Sequence, residues 1–188
     1  MATLVLGLGN PGGEYAHTRH NIGWRCLDDI ERRGRFGRSR REGPTRVTEG
    51  AVEGFELVLG RPTTFMNLSG RAAVHLLRRF SVSVPDLIVV HDELDLPVGR
   101  VRIKRGGGHA GNRGVQSVIE SLQSPDFVRV RVGIGRPPAG IEGADHVLSG
   151  FPPEERPAVD DSVVRAADAV LLAVRAGVEA AMVEVNRR

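Results

Sequence analysis

Two short runs, TLVL at 3–6 and LIVV at 87–90, are apolar at every position but Thr3. Neither is long enough for a buried helix, and neither has a polar face. Each therefore reads as a strand covered on both sides, which calls for a sheet packed between helices. The intervening sequence supplies those helices. In FMNLSGRAAVHLLRRF, residues Ala72, Ala73, Leu76, Leu77 and Phe80 share a helical face. Thr18 is placed to cap a helix reaching Gly34, with Ile22, Cys26 or Leu27, and Ile30 on its apolar side. RVTEGAV and FELVLG form a strand pair about Gly54, and VQSVIESL forms a short helix. GRVRIKR alternates strictly, with Arg100, Arg102 and Lys104 on one side, and FVRVRVGIG is a further strand. ERRGRFGRSRREG has no apolar period and reads as an exposed arginine-rich loop. From about Glu154 the chain is helical, with a break near Gly177. These alternating elements predict one α/β domain over 1–188. It should be a mixed, largely parallel twisted sheet with helices on both faces and a helical C-terminal segment.

The chain of 188 residues is long enough for one sizeable core. Its single cysteine, Cys26, excludes an internal disulfide and suits a reducing compartment. The absence of a signal-like N-terminus and of long apolar runs predicts a cytoplasmic protein. The formal charge is +3, and of the 26 basic residues only Lys104 is lysine, the rest being arginine. Arginine's fixed fork of donors suits phosphate.

GLGNPG, at 7–12, fits the glycine pattern of dinucleotide sites. Its context does not. The third glycine should open a helix that receives the pyrophosphate, and a strand ending in an acid should follow about 20 residues later. Here a proline and two glycines continue the loop, and the later region is arginine-rich.

The loop carries other chemistry. Asn10, at the carboxyl end of the first strand, points into the usual ligand crevice of an open α/β sheet. His20 lies just inside the following helix. LIVVHDELDLP ends in Asp92, in phase with Ile88 and Val90. If the two apolar strands are neighbours, Asp92 accepts from one nitrogen of His20 and leaves the other free as a base. No nucleophile elbow is present, Ser69 reads as a helix start, and Cys26 lies on an apolar face. Water activated by histidine is then the default. His17 and His20 are three apart at a loop–helix junction, and His91 points away from Asp92. No metal is expected.

GLGNPGGEYAHTRHNIG, RPTTFMNLSG, HDELDLPVGRVRIK, GGGHAGNRG and FVRVRVGIGRP resemble, in order and spacing, successive motifs of the bacterial-type peptidyl-tRNA hydrolase family. The resemblance covers residues 3 to about 150. It implies a monomeric, cofactor-free esterase that cleaves the bond between a peptide and the 3′ ribose of tRNA. It implies His20 as general base, held by Asp92. Asn10 and Asn67 line the site, with Asn10 distinguishing N-blocked from free aminoacyl-tRNA. Tyr15, Phe65 and Met66 shape the cleft for the 3′ end and the peptide. Arg102, Lys104 and Arg131 hold phosphate of the acceptor stem. The family loop G-G-x-G-G-H-N-G is altered here: its histidine falls on Asn112 and its substrate-contacting asparagine on Arg113. Either Asn112 supplies the amide from one residue earlier, or Arg113 replaces it with a charged fork, or catalysis is weakened. The last case defines the alternative, a tRNA- or RNA-binding relative with reduced activity.

Overall fold

The computed structural model describes residues 1–187; Arg188, the last residue of the expected domain, lies outside them. Eight strands form one sheet. They are β1 (Thr3–Gly7), β2 (Arg35–Phe36), β3 (Arg40–Glu42), β4 (Thr45–Val52), β5 (Phe55–Pro62), β6 (Ile88–Glu93), β7 (Val101–Arg105) and β8 (Val128–Gly133). The order is β2-β4-β5-β1-β6-β8-β7, with β3 paired to β4. The central strands β5, β1, β6 and β8 run parallel, and the flanking pairs β4–β5 and β7–β8 are antiparallel. The two apolar runs are therefore adjacent, Val5 beside Ile88.

Among the described residues six α-helices cover the sheet: α1 (Ile22–Arg33), α2 (Ser69–Phe80), α3 (Arg113–Leu122), α4 (Gly143–Val147), α5 (Arg156–Ala176) and α6 (Val178–Asn186). Side chains alternate across each strand, so β1 and β6 feed two cores. Val5, Ile88 and Val90 pack with α1, α5 and α6. Leu4, Leu6 and Val89 pack with α2 and α3. The expected mixed sheet with helices on both faces is what forms.

Two local expectations change. The arginine-rich stretch is not a plain loop, because β2 and β3 within it hydrogen-bond to β4 as short edge strands. Edge pairing uses the backbone and needs no apolar period, which is why the pattern missed it. The helix after Thr18 begins at Ile22, preceded by a 3₁₀ turn over Arg19–Asn21. Thr18 makes no side-chain cap; its hydroxyl donates to the Tyr15 carbonyl at 2.8 Å.

Close approach explains the opening glycines. A Cβ on Gly7 would lie 2.8 Å from the Leu27 side chain, and one on Gly9 would lie 2.7 Å from the Trp24 ring. A Cβ on Gly23 would lie 2.5 Å from the Val90 carbonyl oxygen. These glycines let the start of α1 press against the carboxyl ends of β1 and β6. That contact, rather than a phosphate, accounts for the G-x-G pattern.

Candidate active site

The carboxyl ends of β1 and β6 open into a cleft of about 410 Å³ lined by Asn10, His20, Phe65, Met66, Asn67 and Asp92, among others. His20 Nδ1 lies 2.8 Å from Asp92 Oδ2, between residues 72 positions apart in sequence. Both are almost wholly buried. A buried carboxylate accepts, so Nδ1 carries the hydrogen and Nε2 keeps its lone pair for a proton from water.

Asn10 is held from three sides. Its N–H donates to Asn21 Oδ1 and its carbonyl accepts from Asn21 Nδ2, each at 2.9 Å. Its own Oδ1 accepts from the Met66 N–H at 2.7 Å. Since that acceptor is engaged, Asn10 presents its NH₂ group to the cleft. Met66 is buried in turn, its carbonyl taken by the Ser69 hydroxyl at 2.7 Å. Asn67 and Phe65 are exposed at the cleft wall, and the Tyr15 ring meets Phe65 edge-on at a centroid distance of 6.2 Å. Burial pushes the Cys26 thiol up to about 12, away from any nucleophilic thiolate.

Asn112 differs from its expectation. Its Oδ1 accepts from the Gly114 and Val115 N–H groups, capping α3. Its NH₂ donates to Asp92 Oδ1 and to the Asp92 carbonyl, both at 3.1 Å. Every hydrogen-bonding atom of the side chain is engaged. No amide is left for a substrate; Asn112 instead holds the Asp92 oxygen that His20 does not take. Arg113, one residue on, is exposed at the cleft.

Behind Asp92 lies a layer that sequence reasoning missed. His91 Nδ1 lies 2.7 Å from the Asp92 carbonyl, and Arg129 Nε lies 3.3 Å from His91 Nε2. Arg129 must donate, so the His91 ring is neutral with its hydrogen on Nδ1. Burial, with Arg129's charge second, depresses the His91 pKa to about 3. Arg129 is 1% exposed and also donates to the Gly108 carbonyl at 2.6 Å. It thereby ties down the glycine loop that leads to Asn112. Its alternation with Arg131 in VRVRV was the available signal. Asn21 gave none, nor did the far wall formed by Val147 and Leu148 at the end of α4.

The basic strand residues divide. Arg102 stands opposite Arg131 and Lys104 opposite Arg129 across the β7–β8 ladder. Arg131 is bound to the buried Glu93 carboxylate, at 2.5 and 2.9 Å. Lys104 has no ion pair or side-chain hydrogen bond among the described residues.

The sequence profile of peptidyl-tRNA hydrolase matches residues 4–188. The chain belongs to the peptidyl-tRNA hydrolase family. The peptidyl-tRNA hydrolase of Nocardia farcinica is 45% identical over 185 residues, 97% of this chain and 95% of that one. That of Rhodococcus erythropolis is 46% identical over 180 residues, 95% and 94% of the two chains. The crystal structure of peptidyl-tRNA hydrolase from Acinetobacter baumannii matches with a TM-score of 0.91 at 33% identity, over 98% of this chain and 94% of that one. Within this peptidyl-tRNA hydrolase fold, Asn112 braces Asp92 and Arg113 carries a cation at the cleft.

Proposed function

We propose that this chain hydrolyses the ester between a peptide, or an N-blocked aminoacyl group, and the 3′ ribose of tRNA, recycling tRNA from peptidyl-tRNA released by ribosomes. The observation that carries the reading is the 2.8 Å His20–Asp92 contact inside the cleft. His20 Nε2 takes a proton from water as the oxygen attacks the ester carbonyl. The tetrahedral oxyanion then collapses, and the imidazolium returns the proton to the departing ribose oxygen. Asp92 keeps the hydrogen on Nδ1 and stabilises the imidazolium between these steps. Asn10 and Asn67 are neutral donors that do not capture every passing anion.

The fixed orientation of Asn10 supports a role in choosing substrate. Its NH₂ group can donate to the carbonyl of a peptide amide but has nothing to offer an ammonium. Phe65, Met66 and Tyr15 contact the peptide and the 3′ end, with Arg113 at the rim. Arg102, Lys104 and Arg131 receive the terminal phosphate and acceptor stem. We place the enzyme in the cytoplasm as a monomer; among the described residues no helix is long and apolar enough to cross a membrane.

The test is release of N-acetyl-aminoacyl groups from tRNA at catalytic protein concentration. His20→Ala should lower kcat at least about 10²–10⁴-fold, the usual contribution of a positioned base, with tRNA affinity kept. Equal rates for variant and wild type would defeat the proposal.

A further inference from the structure

A second cleft, of about 1000 Å³, lies between α2 and the turn joining β3 to β4, and none of the candidate active-site residues lines it. Arg71, His75 and Arg78 line one wall at helical spacing i, i+4, i+7 along α2, and Arg41 reaches in from β3. The side chains of Arg71 and Arg78 are exposed and form no ion pair or hydrogen bond among the described residues. Arg79 also lines the cleft and lies 3.6 Å from Glu42, the nearby acid. Glu42 is shared with Arg40 at 3.0 Å and is a single acid against the four arginines of the lining, so the groove stays cationic. Two wall atoms, Thr64 Oγ1 and His75 Nε2, are buried without a partner. A buried polar atom left unsatisfied is costly, and an entering anion offers each an acceptor.

We propose that this groove is a second phosphate-binding site that takes the RNA backbone of the substrate away from its 3′ end. The inference rests on the hydrolase reading above. The lining favours RNA over an acidic peptide because its side chains are mostly cationic or hydroxylic, with Val74 and Pro44 the apolar residues. Arg71 and Arg78 are about 10 Å apart along the helix axis at 1.5 Å per residue, far enough to hold different phosphates of one strand. One segment of chain links the groove to the ester cleft. Thr63 and Thr64 line the groove, and Phe65, Met66 and Asn67, the next residues of the same segment, line the cleft.

The experiment compares wild type with Arg71→Gln/Arg78→Gln on two substrates: full-length N-acetyl-aminoacyl-tRNA, and the same aminoacyl ester on a CCA trinucleotide. The variant should raise KM severalfold on the tRNA with kcat unchanged, and should leave kcat/KM on the trinucleotide unchanged. For binding of uncharged tRNA, the slope of log affinity against log salt should fall by roughly two, about 0.9 for each phosphate that the variant no longer neutralises. Unchanged KM and an unchanged slope would overturn the site. An unchanged slope with inorganic phosphate still shifting the His75 ring resonances would make the groove a free-anion site and overturn the RNA assignment. So would competition by polyglutamate as strong as that by single-stranded RNA of equal charge. Absence of turnover by wild type on either substrate would defeat the hydrolase reading alone, since the tRNA-binding slope still judges the groove.

Discussion

Asn112 does two jobs that a different residue could separate. Its carbonyl oxygen caps α3, and its amide steadies the Asp92 oxygen left over from His20. Aspartate caps a helix about as well as asparagine. It would, however, set a second carboxylate where Asp92 now receives a donor, and like charges at that distance disrupt the His20 orientation. Asn112→Asp should therefore keep the far-UV circular dichroism of wild type while kcat at neutral pH drops by at least tenfold. Asn112→Ser, which also caps but carries no charge, should lose less. Equal activity of the aspartate variant and wild type would show that the 3.1 Å contact is incidental. The cap is a local contact with the N–H groups two and three residues on, but the bracing of Asp92 was not legible beforehand, because it depends on what lies opposite Asn112 in space.

Strands β6 and β8 carry the next scale. Their parallel register sets His91 beside Arg131 and Val89 beside Arg129, so one polar sheet face holds His91, Glu93, Arg129 and Arg131. The His91 pKa, depressed to about 3, makes this element pair acid-sensitive. The folded state refuses a proton that the unfolded chain accepts near pH 6.5. The stability it protects is complete above that pH and is lost as pH falls from about 6.5 toward 3, at up to about 1.4 kcal/mol per pH unit. His91→Asn keeps a donor near the Asp92 carbonyl and removes the titration. Urea midpoints measured from pH 7 to pH 4 should fall less steeply for this variant than for wild type, and parallel curves would contradict the assignment. The strand itself was readable from its apolar residues, LIVV, with Asp92 in phase at the edge of the sheet. Its polar end, HDE, is also buried strand, because partners on β8 and the glycine loop satisfy it.

For the whole molecule, the net charge of +3 says less than where cations remain unpaired. Arginines 25, 33, 40, 61 and 131 are all bound to carboxylates. Lys104 is not. Lys104→Ala should lower the salt slope of tRNA affinity by about one and leave thermal stability unchanged. Arg131→Ala should differ, because it strands the buried Glu93 carboxylate and costs on the order of 3 kcal/mol of fold stability besides its effect on tRNA. Thermal melts beside the binding series distinguish the two. If both variants lost affinity without loss of stability, the Glu93 pairing would carry no structural weight.

Periodicity alone settled the architecture: continuous apolar runs demand cover on both faces, and helical spacing supplies it. Position at the ends of strands and at a helix start singled out Asn10, Asp92 and His20, whereas Asn67 came only from the resemblance to the family. Partners across the sheet could not be read this way. Asn21 on Asn10, Asn112 on Asp92 and Arg129 behind His91 are joined by register and loop closure, not by spacing along the chain. A hydrogen bond depends on ångström-scale distance and direction, and those are defined only when α1 has settled against β1 and β6 and the glycine loop has folded over Asp92.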